Sequence, residues 1–373
     1  MPMTPAGLSA LRAHNNRLGK SCHALSGPLY NHVDTTAVAH DMDAIRAALG
    51  DKKLNYYGVS YGTLMGQQYA ELFPNHVGRM VLDSNMDHSQ RTTFQFMASE
   101  TATAEGSFRE FVAWCNRSTA CVLHGQDVGA VFDDLYAKAS RGELTVPGDP
   151  SAKIDPFGLL GVVFGAFYGP DWAGLAQALQ TLANQAPAGA PAVRTMLRFG
   201  QAVPEAFETV FCEDWRLPVH SFAELDVFRL ILGQIAPHMH LSPLGWQAPL
   251  VCQDYPAPVN NPQHPLRVHG APPILMINGL HDPATPYTWA VAAHSQLYSS
   301  VLLTYEGWGH GDYWKSTCVS GTADTFLLTG TTPAPDARCP AVEPPTGPPA
   351  AQQARPAGPG LPTGPSVRVP GWF

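Results

Sequence analysis

At 373 residues, 45% of them hydrophobic, the chain can bury a sizeable core as one large domain or two ordinary ones, which excludes global disorder. A net charge of −8 leaves no basic footprint and argues against nucleic acid as the partner. No apolar run approaches the ~18 residues of a membrane span, and the opening "MPMTPAGLSALRAHNNRLGK" lacks the basic-then-apolar order of a signal peptide.

Residues 1–50 read as helix and loop. In "TTAVAHDMDAIRAALG" (35–50) Val38, Met42, Ile45 and Leu49 share one helical face, Thr35 or Thr36 can cap the start, and Gly50 can end it. "KLNYYGVS" (53–60) is a short apolar and aromatic run suited to a buried parallel strand. "GTLMGQQYAELF" (62–73) follows as a helix stopped by Pro74, and "VGRMVLDSN" (77–85) is a second strand. From there to about residue 265 helical patterns dominate; in "PDWAGLAQALQTLANQ" (170–185) Trp172, Leu175, Leu179 and Leu182 recur at helical spacing, and the aromatic residues read as core rather than as ligand contacts. Alternation resumes with the strand "PPILMING" (272–279), the helix "TPYTWAVAAHSQL" (285–297), with Thr285 at its cap and Pro286 in its first turn, and the strand "SVLLTYEG" (300–307). Beyond Cys339 the chain is too rich in Pro and Gly to pack and reads as a disordered tail over 341–373.

The cysteines number seven, none in a CxxC pair or a zinc-like Cys/His spacing, so no metal site is expected. One reading is three disulfides, Cys115–Cys121, Cys212–Cys252 and Cys318–Cys339, with Cys22 left over; the other is seven unrelated buried thiols. Disulfides would put the protein in an oxidising compartment.

The chemistry concentrates at Gly58-Val59-Ser60-Tyr61-Gly62. A serine hydroxyl becomes a nucleophile when a base lies within hydrogen-bond reach and an acid orients that base. In α/β-hydrolases the serine occupies a sharp strand-to-helix turn, with glycines two residues to either side giving the backbone room. The acid and histidine follow in later post-strand loops. "ILMINGLHDPATP" puts Asp282 directly after a strand, and "LLTYEGWGHGDYW" puts His310 after the last one. Asp83, after the strand that follows the elbow, is a competing acid. The expectation is Ser60 as nucleophile, His310 as base and Asp282 as orienting acid, with the Tyr61 N–H as one oxyanion donor and no cofactor. In "FCEDWRLP" (211–218) Glu213 and Asp214 are acids able to hold a substrate amine, or simply a solvated acidic turn.

Three segments, "NYYGVSYGTLMGQQYAELFPNHVGRMVLDSN", "PPILMINGLHDPATPYTWA" and "YEGWGHGDYWKSTCV", together resemble the tripeptidyl aminopeptidase group of secreted serine peptidases, relatives of the prolyl aminopeptidases. Residues 272–339, including "TADTFLLTGTTPAPDARC", resemble that group's C-terminal segment, and the likeness runs over roughly residues 20–340. The resemblance implies an α/β-hydrolase core in two pieces (1–87 and 266–340), a helical cap at 88–265, and a peptide substrate with a free N-terminus. It also implies a Gly-rich oxyanion loop and about four strands ahead of the elbow, which the residues before Ser60 do not supply. An N-terminally truncated form of a longer secreted enzyme, with the partner of Cys22 upstream, accounts for these gaps together. Alternatives are an esterase using the same machinery, or an inactive hydrolase-fold protein.

Overall fold

The computed structural model describes residues 2–184 and 206–346; the Pro/Gly-rich residues 347–373 lie outside the described residues. Two helices, α1 (Pro5–Ser26) and α2 (Thr35–Ala48), precede β1 (Leu54–Val59), α3 (Tyr61–Leu72) and β2 (Val77–Asp83). A long segment follows: α4 (Thr93–Arg117), α5 (Val128–Ser140), a small hairpin of β3 (Thr145–Val146) and β4 (Asp149–Lys153), α6 (Pro156–Tyr168), α7 (Trp172–Ala183), α8 (Ala206–Asp214), α9 (Phe222–Ile235) and α10 (Pro243–Val251). The chain then returns through β5 (Ile274–His281), α11 (Tyr287–Gln296), β6 (Ser300–Trp308), α12 (Thr317–Thr329) and β7 (Arg338–Cys339).

The sheet runs β1-β2-β5-β6-β7 with every pair parallel. Parallel strands need crossover helices, which cover both faces and demand apolar side chains on both. The period of two divides them cleanly. Met80, Leu82, Ile274 and Met276 pack with Tyr69 of α3 and Leu297 just past α11, whereas Val81, Leu275 and Ile277 pack with Val319, Ala323 and Phe326 of α12. The strand β1 forms one edge, and no strand pairs with its outer side among the described residues. A separate core in the helical segment joins Phe108, Phe111, Trp114, Trp172, Leu175 and Leu179 and reaches Trp308 of β6, so the aromatic residues there are core, as their spacing predicts. The structure pairs Cys115 with Cys121, Cys212 with Cys252 and Cys318 with Cys339, leaving Cys22 as a half-buried thiol.

Two helix starts differ from expectation. Asp34, not a threonine, caps α2 through the Ala37 N–H at 3.0 Å, which frees Thr35 for a buried contact described below. On the same helix Ala39 is buried, but Ile45 and Leu49 are exposed: α2 leans on α3 at its start, and no described element covers its end. Thr285 does not cap α11 either: Pro286 holds the position before its first helical residue, and the Thr285 N–H and hydroxyl donate to Asp282.

Gly58 closes the gap between strand and helix. A methyl group there would sit 2.5 Å from the Gly62 carbonyl oxygen and 2.6 Å from the Tyr56 ring. Because the obstacle includes backbone, Gly58→Ala should cost ~1–3 kcal/mol of unfolding free energy, the range for overpacking, as read by urea denaturation.

Candidate active site

Ser60 is held at φ 58° and ψ −124°, a left-handed conformation that costs a non-glycine residue on the order of 1–3 kcal/mol. Surrounding bonds hold it there. The Ser60 N–H donates to the Asp83 carbonyl at 3.0 Å, the Ser60 carbonyl accepts from the Thr63 N–H at 2.9 Å and hydroxyl at 2.6 Å, and the Tyr56 hydroxyl donates to the Gly62 carbonyl at 2.8 Å. The turn sets the Ser60 side chain at the start of α3, where the first N–H groups, Tyr61 among them, have no intrahelical acceptor and the helix dipole is positive.

Asp282 and His310 occupy the loops after β5 and β6, at the same carboxyl edge of the sheet. His310 Nδ1 lies 3.0 Å from both carboxylate oxygens of Asp282. Asp282 is fully buried and also accepts from the Ala284 N–H, the Thr285 N–H and the Thr285 hydroxyl, each at 2.9 Å. Burial alone would raise its pKa; the facing His310 and these donors outweigh burial and hold it below the usual range. It therefore stays ionised opposite His310. Thr285 also stands 3.5 Å from His310 Nδ1. Its place three residues past Asp282 in "DPAT" is a local Asp-to-threonine turn pattern that the sequence does display.

The structure brings the histidine's loop to the elbow: a methyl on Gly311 would lie 3.3 Å from Val59, the residue before Ser60. No hydrogen bond joins the Ser60 hydroxyl to His310 among the described residues, a contact that often tightens only with substrate bound. From the helical segment, the Tyr168 carbonyl accepts the His310 backbone N–H at 2.9 Å, and the Tyr168 ring meets the imidazole edge-on at 5.2 Å.

Asp83, the competing acid, does not touch His310. Its carboxylate takes the Asp312 N–H at 2.9 and 3.0 Å, the Tyr313 N–H at 3.0 Å and the Tyr57 hydroxyl at 2.6 Å, while Ser84 next to it takes the Gly311 N–H at 2.8 Å. The three residues after His310 are thus clamped by the end of β2. Lys315 closes the loop from the other side, donating to the carbonyls of His310 and of Gly311.

Glu213 and Asp214 end α8 and are fully buried. Asp214 accepts from the Thr35 N–H and Asn261 on one oxygen, and from the Thr35 and Tyr61 hydroxyls on the other, at 2.6–2.8 Å. It fastens the start of α2 to the side chain next to Ser60, and no oxygen is left over for a substrate amine. One oxygen of Glu213 accepts the Val33 and Asp34 N–H groups at 3.1 Å and Asn260 at 3.3 Å. Burial pushes the Glu213 pKa up to about 7, against the pull of those donors.

Asp83→Asn keeps the shape of the clamp but removes its charge. We expect kcat to fall ~10–100-fold, the scale set by small misplacements of a catalytic group, with KM changed little, as measured by steady-state kinetics. An unchanged kcat would contradict the clamp.

Residues 242–339 match the family model described as TAP-like protein. The chain is 31% identical over 350 residues to the tripeptidyl aminopeptidase of Streptomyces lividans, covering 91% of this chain and 64% of that protein. It is 31% identical over 329 residues to the serine protease Hip1 of Mycobacterium tuberculosis, covering 83% of this chain and 62% of that protein. It is likewise 31% identical over 353 residues to the carboxylesterase B of Mycobacterium tuberculosis, covering 90% of this chain and 66% of that one. The chain thus spans just under two thirds of the length of the relatives it matches. With a parallel sheet, a strained elbow serine and a matched C-terminal segment, the chain has an α/β-hydrolase fold and is similar to the tripeptidyl aminopeptidase-like proteins.

Proposed function

We propose that the chain is a serine hydrolase that removes short peptides from free N-termini through an acyl-enzyme, with Ser60, His310 and Asp282 as its triad. The carrying observation is the fully buried Asp282 at 3.0 Å from His310 Nδ1, on a loop seated against the strand that ends in Ser60. His310 takes the Ser60 proton as the hydroxyl attacks the scissile carbonyl, and Asp282 fixes the tautomer and stabilises the imidazolium. The peptide C–N bond breaks as His310 returns that proton to the leaving amine. Water, deprotonated by His310, then attacks the ester and restores Ser60. The Tyr61 N–H, aimed by the elbow, donates to the oxyanion in both halves of the cycle.

Within this reading residues 1–87 and 266–340 form the catalytic core, and 88–265 act as a cap that limits how much of a peptide enters. The carbonyl and ring of Tyr168 against His310 support a cap that bears on the site. Three disulfides support an oxidising, extracellular setting, and the names of the Streptomyces lividans and Hip1 relatives support a peptide substrate. A second reading, the same chemistry on an ester, is favoured by the equal identity to carboxylesterase B.

A biotinylated fluorophosphonate should label the purified chain at Ser60, and trialanyl p-nitroanilide should be cleaved while its N-acetyl form is not. Ser60→Ala should abolish labelling and lower turnover on the order of 10⁶-fold. Absence of labelling would refute the hydrolase reading; labelling with cleavage of p-nitrophenyl esters alone would favour the esterase.

A further inference from the structure

The carboxylate of Asp214 is fully buried at the end of α8, and that end is fixed from three sides. The Cys212–Cys252 disulfide ties it to the residue just past α10. The Trp215 ring packs edge-on against Phe96 of α4 at 5.4 Å, and the Asp214 carbonyl lies 2.8 Å from His88 Nε2. From this fixed point two hydrogen-bonded arms reach α3. The first is direct: the Tyr61 hydroxyl donates to Asp214 Oδ2 at 2.7 Å and accepts the Trp215 indole N–H at 3.2 Å. The second passes through Asn261, whose side-chain amide donates to Asp214 Oδ1 at 2.7 Å and whose side-chain carbonyl accepts from the Gln68 amide at 3.0 Å. Gln68 and Asn261 are themselves buried.

Tyr61 and Gln68 stand seven positions apart, two turns along α3 and on nearly the same face. A helix held at one point can still rotate about its axis or swing about that point. Held at two points two turns apart on one face, it does neither. The helix held in this way is the one that begins at Tyr61, directly after Ser60. Ser60 joins strand to helix through a single strained residue, a conformation that persists only where its surroundings over-determine it. The direction of the Tyr61 N–H therefore depends on the rotation of α3, and that rotation is set by the two arms. Burial and then the Asp214 charge push the Tyr61 phenol well above its usual range, so the first arm keeps its proton.

We infer that Asp214 is a positioning residue for catalysis: by holding α3 at Tyr61 and at Gln68, it aims the Tyr61 N–H at the oxyanion. This role rests on the Ser60 hydrolase chemistry proposed above, but not on whether the acyl group is a peptide or an ester. Asp214 belongs to the helical segment and Ser60 to the elbow, 154 positions earlier, so the segment that covers the site also tunes it.

Tyr61→Phe removes the first arm and leaves the ring in place. In the full chain it should slow phosphonylation of Ser60 by the biotinylated fluorophosphonate ~10–100-fold, the scale of an ångström misplacement. It should lower kcat on trialanyl p-nitroanilide, or on a p-nitrophenyl ester if only esters are cleaved, by the same factor with KM little changed. Asp214→Asn should show the same pattern, and the double variant should lose no more than Asp214→Asn alone, because the two groups act as one unit. A merely structural Asp214 would lower the melting temperature without this split between kcat and KM. Unchanged rates in Tyr61→Phe, a loss carried by KM, or losses that multiply in the double variant would overturn the assignment. Tyr61→Phe decides alone where Asp214→Asn does not fold. Failure of the fluorophosphonate to label Ser60 in the unaltered chain would instead count against the hydrolase chemistry, and this role would fall with it.

Discussion

Asp83 joins the two halves of the site through one residue. Its backbone carbonyl accepts the Ser60 N–H at 3.0 Å, and its side chain accepts the N–H groups of Asp312 and Tyr313, just past His310. The serine's turn and the histidine's loop are thereby referred to the same point on β2. In the triad proposed above, proton transfer between Ser60 and His310 would depend on placement within about an ångström, so a shared anchor would matter more than any added attraction between the pair. The sheet makes this possible: parallel strands end on one edge, and β2 lies between β1, which ends at the elbow, and β5, which ends at Asp282.

Charge is managed differently at each buried carboxyl. Asp282 is kept ionised by three donors and the facing imidazole. Asp214 is satisfied by four donors and works as a fastener between α2 and the Tyr61 side chain. Asp312 has no such support; burial and then the neighbouring Asp83 push its carboxyl well above the usual range. Glu100, 1% exposed on α4, accepts the Ser242 hydroxyl at 3.3 Å and no other hydrogen bond among the described residues.

What was legible in the sequence is what is local. Gly58, Ser60 and Gly62 stand within five residues, and the strands before Asp282 and His310 are apolar on both faces because both faces are covered. Pro74 stops α3 where its ring and missing N–H require. What escaped is carried by contacts between distant parts of the chain. Asp83 read as a rival acid because its spacing fits that role, and its partners lie 229 and 230 positions away. Glu213 and Asp214 read as holders of a substrate amine or as a solvated acidic turn, but both oxygens of Asp214 and one of Glu213 are engaged by partners that include residues 33–35, some 180 positions earlier. Glu100 carried a signal that can be read: an acid in the buried stripe of an amphipathic helix breaks the pattern and asks for a partner.

The account is tested most directly by a crystal structure of the chain after reaction with a fluorophosphonate. It predicts phosphorus bonded to Ser60 Oγ, a phosphonyl oxygen within ~3 Å of the Tyr61 N–H, His310 Nε2 within ~3 Å of an oxygen on that phosphorus, and the Asp83 carboxylate still holding the Asp312 and Tyr313 N–H groups. An adduct on another residue, or a bonded Ser60 with His310 turned away from it, would contradict it.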